Sequence, residues 1–191
     1  DMATTATTFG ERFDSTAEQE IGTSALKAWR VATKHAKKGT LSDSEWKKLR
    51  LADEKESVAQ LNDLQKLYPT ASTVRFMLGQ VKDHFGRHSD AVGEFRASIE
   101  NNTNNGMYLF KLAETEVKAG QFDSAIKHYR LLIQHTPNFA PAELGLARAL
   151  MKKDPKSAEA AALASRVLKA EPDNQEAKEL INRSADRKPA S

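Results

Sequence analysis

The chain has 191 residues, a formal net charge of +3, 39% hydrophobic and 29% charged residues, and no cysteine. This composition excludes disulfides, thiolate zinc sites and a cysteine nucleophile, and the sequence contains no apolar run long enough to span a bilayer. It predicts a soluble domain, either cytoplasmic or periplasmic, whose small net charge requires no polyanionic partner; the start Asp1-Met2 leaves open a preceding signal or anchor.

The N-terminal third is predicted to be helical after a short tail. Residues 1–16 show no periodicity and indicate a disordered tail. Residues 17–69 predict N-terminal helices that include a degenerate repeat. A polar run at residues 53–56 leaves open whether the segment before Pro69 is one long helix or two abutting helices.

A repeat of 34 residues organises the rest of the chain. Leu112, Gly120, Ala125 and Tyr129 follow Leu78, Gly86, Ala91 and Phe95 at this spacing. A fixed period of this length is typical of stacked helix-turn-helix units. Three units are predicted, at 72–105, 106–139 and 140–174, followed by a capping helix that ends near residue 186 and a disordered tail at 187–191.

Residues at the turns and helix crossings fit this organisation. Gly86 and Gly120 are expected to end helices with positive φ, while the second helices are expected to be capped by Ser89, Asp123 and Asp154. Small residues such as Gly79 and Ala91 are expected where two helices cross closely, with an aromatic ring such as Phe95 filling the space beside them.

The order of these residues, from Leu112-Ala113 through Gly120, Ala125 and Tyr129 to a closing Pro137, resembles the tetratricopeptide repeat family. The resemblance implies an all-α fold. It would be a right-handed α-solenoid of three tetratricopeptide-like repeats within residues 70–186, with an N-terminal helical extension and a C-terminal capping helix.

The same resemblance implies a non-enzymatic scaffold or adaptor whose first helices line a concave groove for a peptide or helix of a partner. Residues of the first helices recur at the repeat spacing and are predicted to line this groove: Phe76, Met77, Gln80, Met107, Phe110, Lys111, Glu114, Leu144, Arg148 and Lys152. Their character predicts a protein or peptide partner with apolar anchors and some acidic residues. The alternative is that Phe76, Phe110 and Leu144 pack within the protein.

One specialised role is not expected. Family members that clamp the C-terminal carboxylate of heat-shock proteins would need lysine, arginine and asparagine at positions that this chain fills otherwise. Those positions hold Phe76, Gln80, Lys111, Pro141 and Gly145.

Three other classes of function are catalysis, self-assembly and docking to an anionic surface. The five histidines lack ligand or triad spacing, so no catalytic, cofactor or metal site is predicted. Self-assembly through residues 17–38 is one alternative. Another is docking of a basic segment to an anionic surface; nucleic acid is not expected as the partner, and a membrane would be contacted only through this segment. The segment has two acidic residues, Asp43 and Glu45, and eight cations: Lys27, Arg30, Lys34, Lys37, Lys38, Lys47, Lys48 and Arg50.

Overall fold

The computed structural model describes residues 16–100, apart from 36 and 38, and residues 105–185. This part of the chain contains helices and no strand. The helices are α1 (Thr16–Ala32), α2 (Asp43–Leu67), α3 (Ser72–His84), α4 (His88–Glu100), α5 (Gly106–Lys118), α6 (Phe122–His135), α7 (Ala140–Lys153), α8 (Ala158–Ala170) and α9 (Gln175–Ala185). The predicted tails lie outside the described residues, except that Thr16 begins α1.

The chain divides into two compact units, Asp1–Thr103 and Asn104–Ser191. In the first unit α1 pairs with α2, and α3 pairs with α4. In the second unit α5 pairs with α6 and α7 pairs with α8, while α9 packs on α8. The pairs α3–α4, α5–α6 and α7–α8 fall in the three segments where the 34-residue period predicts repeats.

The core of the first unit joins three helices. Alanines on one face of α1 let this helix approach α2 and α3 closely, because a methyl group occupies little space between helix axes. The buried residues of this core are Ile21, Ala25, Ala28, Ala32, Leu61, Val74, Met77, Leu78 and Val81. The N-terminal helix therefore packs within its own unit.

The second helix is one continuous element. Ser42 and Glu45 form a capping box at its start, in which the Ser42 backbone N–H donates to the Glu45 carboxylate over 3.0 Å. The hydrogen bonds from Ser42 also lower the pKa of Glu45. Asp53, in the polar run, is buried and lies 2.8 Å from Nδ1 of His35. The polar run is thus a point of attachment for the end of α1.

Gly86 and Gly120 end α3 and α5 with φ of 80° and 76°, as the sequence predicts. After each glycine the next N–H returns to the helix: Arg87 donates to the carbonyl of Lys82 over 2.9 Å, and Gln121 donates to that of Glu116 over 2.8 Å. These bonds satisfy carbonyls that the helix end would leave open.

The predicted N-caps are wrong. Ser89 and Asp123 lie inside the first turns of α4 and α6, and Gln121 precedes α6 without a side-chain cap. Asp154 ends α7, and its carboxylate accepts from the Lys156 N–H within a turn. Because that turn uses Asp154, the cap of α8 is Ser157, whose hydroxyl accepts from the Ala160 N–H.

Aromatic rings of second helices stand on glycines of first helices. A Cβ added at Gly79 would lie 2.7 Å from the Phe95 ring, and one added at Gly145 would lie 2.6 Å from the Tyr129 hydroxyl oxygen. Both rings are buried. Phe95 meets a glycine of its own repeat, whereas the far end of Tyr129 reaches α7 of the following repeat.

Half-buried contacts between polar side chains join the two helices of a repeat. Lys82 of α3 lies 2.7 Å from Glu94 of α4, and Glu116 of α5 lies 2.7 Å from Nδ1 of His128 of α6. Glu116 is fully buried. Lys82 and Glu116 occupy equivalent positions 34 residues apart, as do Glu94 and His128, so the glutamate lies on the second helix in one repeat and on the first helix in the next.

Because Gly79 contacts the Phe95 ring, adding one methyl group at residue 79 should lower the stability of the protein measurably. Gly79→Ala forces the buried Phe95 ring to move, and we expect it to lower the free energy of unfolding by about 1–3 kcal/mol. Gly93→Ala is the matched control, because a Cβ there meets nothing within 4 Å. In this exposed helical position the change should stabilise by about 0.5–1 kcal/mol. Urea unfolding of both variants checks the prediction, and equal effects would contradict it.

Candidate functional site

The predicted groove residues fall in both units, and those of the first unit are mostly buried. Phe76 is 3% exposed and its ring lies 5.4 Å from the Phe95 ring, while Met77 is fully buried in the core of α1–α3. Their expected role as surface anchors is corrected to core packing. Gln80 is half-buried, and its Oε1 atom accepts no hydrogen bond from the described residues.

In the second unit the predicted residues lie on the first helices α5 and α7. Leu144 is 4% exposed and belongs to the core, which corrects its expected role as an anchor. The others reach the surface. Met107, Phe110, Lys111 and Glu114 are half-buried, and Arg148 and Lys152 are exposed.

Phe110 forms an aromatic cluster with two residues that the period does not place in the groove. Its ring lies 6.2 Å from the Tyr129 ring and 5.7 Å from the ring of Phe139, both edge-on. Phe139 precedes α7 and is positioned by Asn138, which has a φ of 62° that asparagine tolerates better than most residues. The sequence Pro137-Asn138 indicates such a turn, but the repeat pattern does not reveal that Phe139 faces Phe110.

Charged groups surround the Tyr129 hydroxyl. Burial raises the pKa of the Tyr129 phenol well above its usual range, and Glu114 and Glu176 raise it further, against the opposing effect of nearby Arg148. The phenol therefore stays neutral. Its hydroxyl is buried and makes no hydrogen bond of ordinary geometry within the described part of the chain.

The ion pairs of this face leave a basic excess. Lys111 pairs with Glu114 over 2.8 Å and also lies 5.8 Å from the Phe110 ring centre. Arg148 pairs with Glu176 of α9 over 3.2 Å. Lys152, one turn beyond Arg148, has no ion-pair partner among the described residues. Glu176 is a member of this charged cluster that is absent from the predicted groove residues.

A second concavity, of about 380 Å³, lies between the second helices α6 and α8. Its lining includes Ile133, Leu163 and two arginines. Arg130 donates to both carboxylate oxygens of Glu159, and Arg166 pairs with the buried Glu143 over 2.9 Å. Because both arginines are already paired, this concavity offers little free charge.

Four of the five histidines have structural partners. His35 contacts Asp53, His88 lies 2.7 Å from Asp83, and His128 contacts Glu116. His84 accepts a hydrogen bond from Arg50 over 2.7 Å. Within the described ranges no group of three or more histidines, aspartates or glutamates is arranged to hold a metal ion.

The basic segment predicted from the sequence is divided by the structure. Arg50 is withdrawn into a cluster, where its guanidinium lies 4.3 Å from the Phe85 ring centre and 5.8 Å from that of Trp46. The Trp29 ring meets His84 edge-on at 5.4 Å. Lys38 lies outside the described residues. The remaining cations of the segment are exposed: Lys27, Arg30, Lys34, Lys37, Lys47 and Lys48.

Residues 116–183 match the model of the tetratricopeptide repeat family. No curated protein sequence matches the chain. Among solved structures, the MamA protein matches with a TM-score of 0.65 and 15% identity over 85% of this chain and 81% of MamA. Pseudomonas aeruginosa pilF matches with a TM-score of 0.54 and 20% identity over 87% of this chain and 82% of its own.

An O-GlcNAc transferase mutant of Thermobaculum terrenum also matches, with a TM-score of 0.55 and 17% identity. The match covers 78% of this chain but only 26% of the transferase, so it concerns one part of that enzyme. The family match and these folds agree with the pairing of α3–α8. Residues 116–183 thus match tetratricopeptide repeats, and the predicted fold class, an all-helical protein of the tetratricopeptide-like solenoid type, is confirmed.

Removal of the Tyr129 hydroxyl should have an unusual effect on stability, because the hydroxyl is buried. Tyr129→Phe removes a buried hydroxyl whose contact with Arg148 falls short of ordinary hydrogen-bond geometry, while it keeps the ring on Gly145. We expect the free energy of unfolding to stay unchanged or to rise by about 1 kcal/mol. Thermal and urea unfolding measure it, and a clear loss of stability would show that the hydroxyl has a structural partner.

The lowered pKa of His84 predicts that the stability of the first unit depends on pH. Burial, and then the Arg50 charge, lower the pKa of His84 below its usual value of 6.5, and the ring accepts from Arg50 while it bonds the Ala32 backbone. As pH falls below 6.5, the unfolded chain takes up a proton that the folded protein resists, so this group lowers stability on the acid side.

The substitution His84→Gln removes this titration. The stability advantage of the wild type over the variant should therefore shrink between neutral pH and about pH 5. Urea unfolding followed by tryptophan fluorescence reports directly on this cluster, since Trp29 and Trp46 both belong to it. An advantage that is constant across this range would contradict the assignment.

Proposed function

We propose that this protein is a non-enzymatic scaffold that binds an acidic, amphipathic segment of a partner protein on the first-helix face of its second unit. This face is formed by α5, α7 and α9. The observation that carries the proposal is the half-buried Phe110 cluster bordered by Arg148 and Lys152. An accessible apolar surface with charge at its edge is the arrangement that protein-binding grooves use.

The apolar part of this face is small and held in place. Phe110 is fixed by its edge contacts with Tyr129 and Phe139, and Met107 lies one turn before it on α5. Aromatic rings that are already ordered lose little conformational entropy when a partner covers them. This favours Phe110 and Phe139 as the positions where an apolar side chain of the partner would pack.

The charged part favours an acidic partner. Lys152 is unpaired among the described residues, and the Arg148–Glu176 pair is exposed, so an incoming carboxylate can compete for Arg148 without entering the core. Exposed ion pairs of this kind contribute little to stability, so replacing Glu176 by a partner carboxylate at Arg148 costs little free energy.

The proposal predicts a preference between two designed peptides. Each carries leucines at helical spacing for one apolar face, and the remaining positions are either glutamate or lysine. We expect the glutamate peptide to bind more tightly, and the double variant Arg148→Gln/Lys152→Gln to weaken that binding about five-fold or more, as loss of two rim charges does. Fluorescence anisotropy with labelled peptides measures both.

The control removes two cations from the second helices, Lys127→Gln/Lys169→Gln, and keeps the same net charge as the test variant. Both residues are exposed. The control should bind the glutamate peptide as the wild type does, and urea unfolding should show that all three proteins fold. Equal loss in the control, or tighter binding of the lysine peptide, would overturn the proposed surface.

A further inference from the structure

The first unit has a basic end that the groove does not use. The hairpin tip, defined here as residues 29–35, 37 and 39–55, is held together by the contact of His35 with Asp53. Arg50 attaches it to α3, because this side chain bonds both the ring and the carbonyl of His84. The contact of His35 with Asp53 fixes the two helix ends side by side. Cations on both therefore share one region of the surface.

The cations of the tip are exposed and unneutralised. None of the following has an ion-pair partner among the described residues: Arg30, Lys34, Lys37, Lys47, Lys48 and Lys55. Four acidic residues lie on the same part of α2. Glu45 is held in the capping box by Ser42, Asp53 contacts His35, and Glu54 pairs with Arg87. The fourth is Asp43. The tip thus keeps a clear excess of positive charge.

An apolar side chain stands among these cations. Leu51 is 65% exposed and lies one turn from Lys47 and Lys55 on the same face of α2. A leucine bordered by lysines on the solvent face of a helix matches the lipid interface, where aliphatic groups enter the boundary of headgroups and acyl chains while cations meet phosphates.

The aromatic residues of the tip argue against single-stranded nucleic acid. Bases of single strands stack on accessible aromatic rings. The rings of the tip are half-buried and already engaged, since Trp29 contacts His84 and Trp46 lies beside Arg50. What the tip leaves free is aliphatic surface and charge.

We infer that the hairpin tip docks on an anionic lipid surface, with its lysines at the phosphates and Leu51 in the interface. The contact is peripheral, because none of the described helices has the length and apolar character needed to cross a bilayer. Each cation near an anionic surface strengthens such binding about five-fold at low ionic strength, and salt screens the effect.

Sedimentation with two kinds of vesicle tests the inference. The whole protein should bind mixed phosphatidylserine–phosphatidylcholine vesicles at low salt and lose them as salt rises, and it should not bind pure phosphatidylcholine. Lys47→Gln/Lys48→Gln should weaken binding by about ten-fold or more. The exposed pair Lys127→Gln/Lys169→Gln, with the same change in charge, should bind as the wild type does.

Leu51→Ser separates a lipid surface from a polyanion. It should weaken binding to the mixed vesicles about three-fold or more, because apolar contact with the interface is lost. Binding to a DNA duplex, if present, should not respond to it. No vesicle binding at low salt, equal loss in both charge variants, or binding to DNA alone would overturn the inference. The peptide-binding variants on α7 leave the tip intact, so the two proposals fail independently.

Discussion

Neighbouring helices approach closely where an aromatic ring of a second helix lies on a glycine of a first helix, which belongs to the same repeat for Phe95 and to the following repeat for Tyr129. Phe95 on Gly79 and Tyr129 on Gly145 leave no room for even a methyl group. Because the glycine has no side chain, the ring lies directly on the helix backbone and is buried there. Because Tyr129 extends past its own repeat, it also brings Glu114 and Arg148 together around one hydroxyl.

The periodic part of the fold could be predicted from sequence because each unit repeats the same local requirements. Gly86 and Gly120 must adopt positive φ wherever the helix turns back, and they do. The caps could not be predicted in the same way. Asp154 is as good an N-cap as Ser157 by residue type, and only the turn that engages its carboxylate shows which of them precedes α8.

The candidate site shows where periodicity stops being informative. Phe76 and Phe110 are equivalent by spacing, yet Phe76 is buried against Phe95 while Phe110 remains half-exposed beside Tyr129 and Phe139. The period fixes the direction of a side chain from its own helix. It carries no information about the residues that other helices bring to it, and those residues decide between core and surface. The two proposed surfaces consequently rest on observed exposure and charge, one in each unit.

The change in position of the glutamate between the repeats has a consequence for how the chain finds its fold. Repeats of similar shape can exchange helices while they fold, since any first helix fits any second helix approximately. If α3 paired with α6, Lys82 would face His128, and if α5 paired with α4, Glu116 would face Glu94. The second exchange would set the buried Glu116 against the half-buried Glu94, where like charges are disfavoured. The exchanged position of the glutamate in successive repeats therefore disfavours the wrong pairing of α5 with α4.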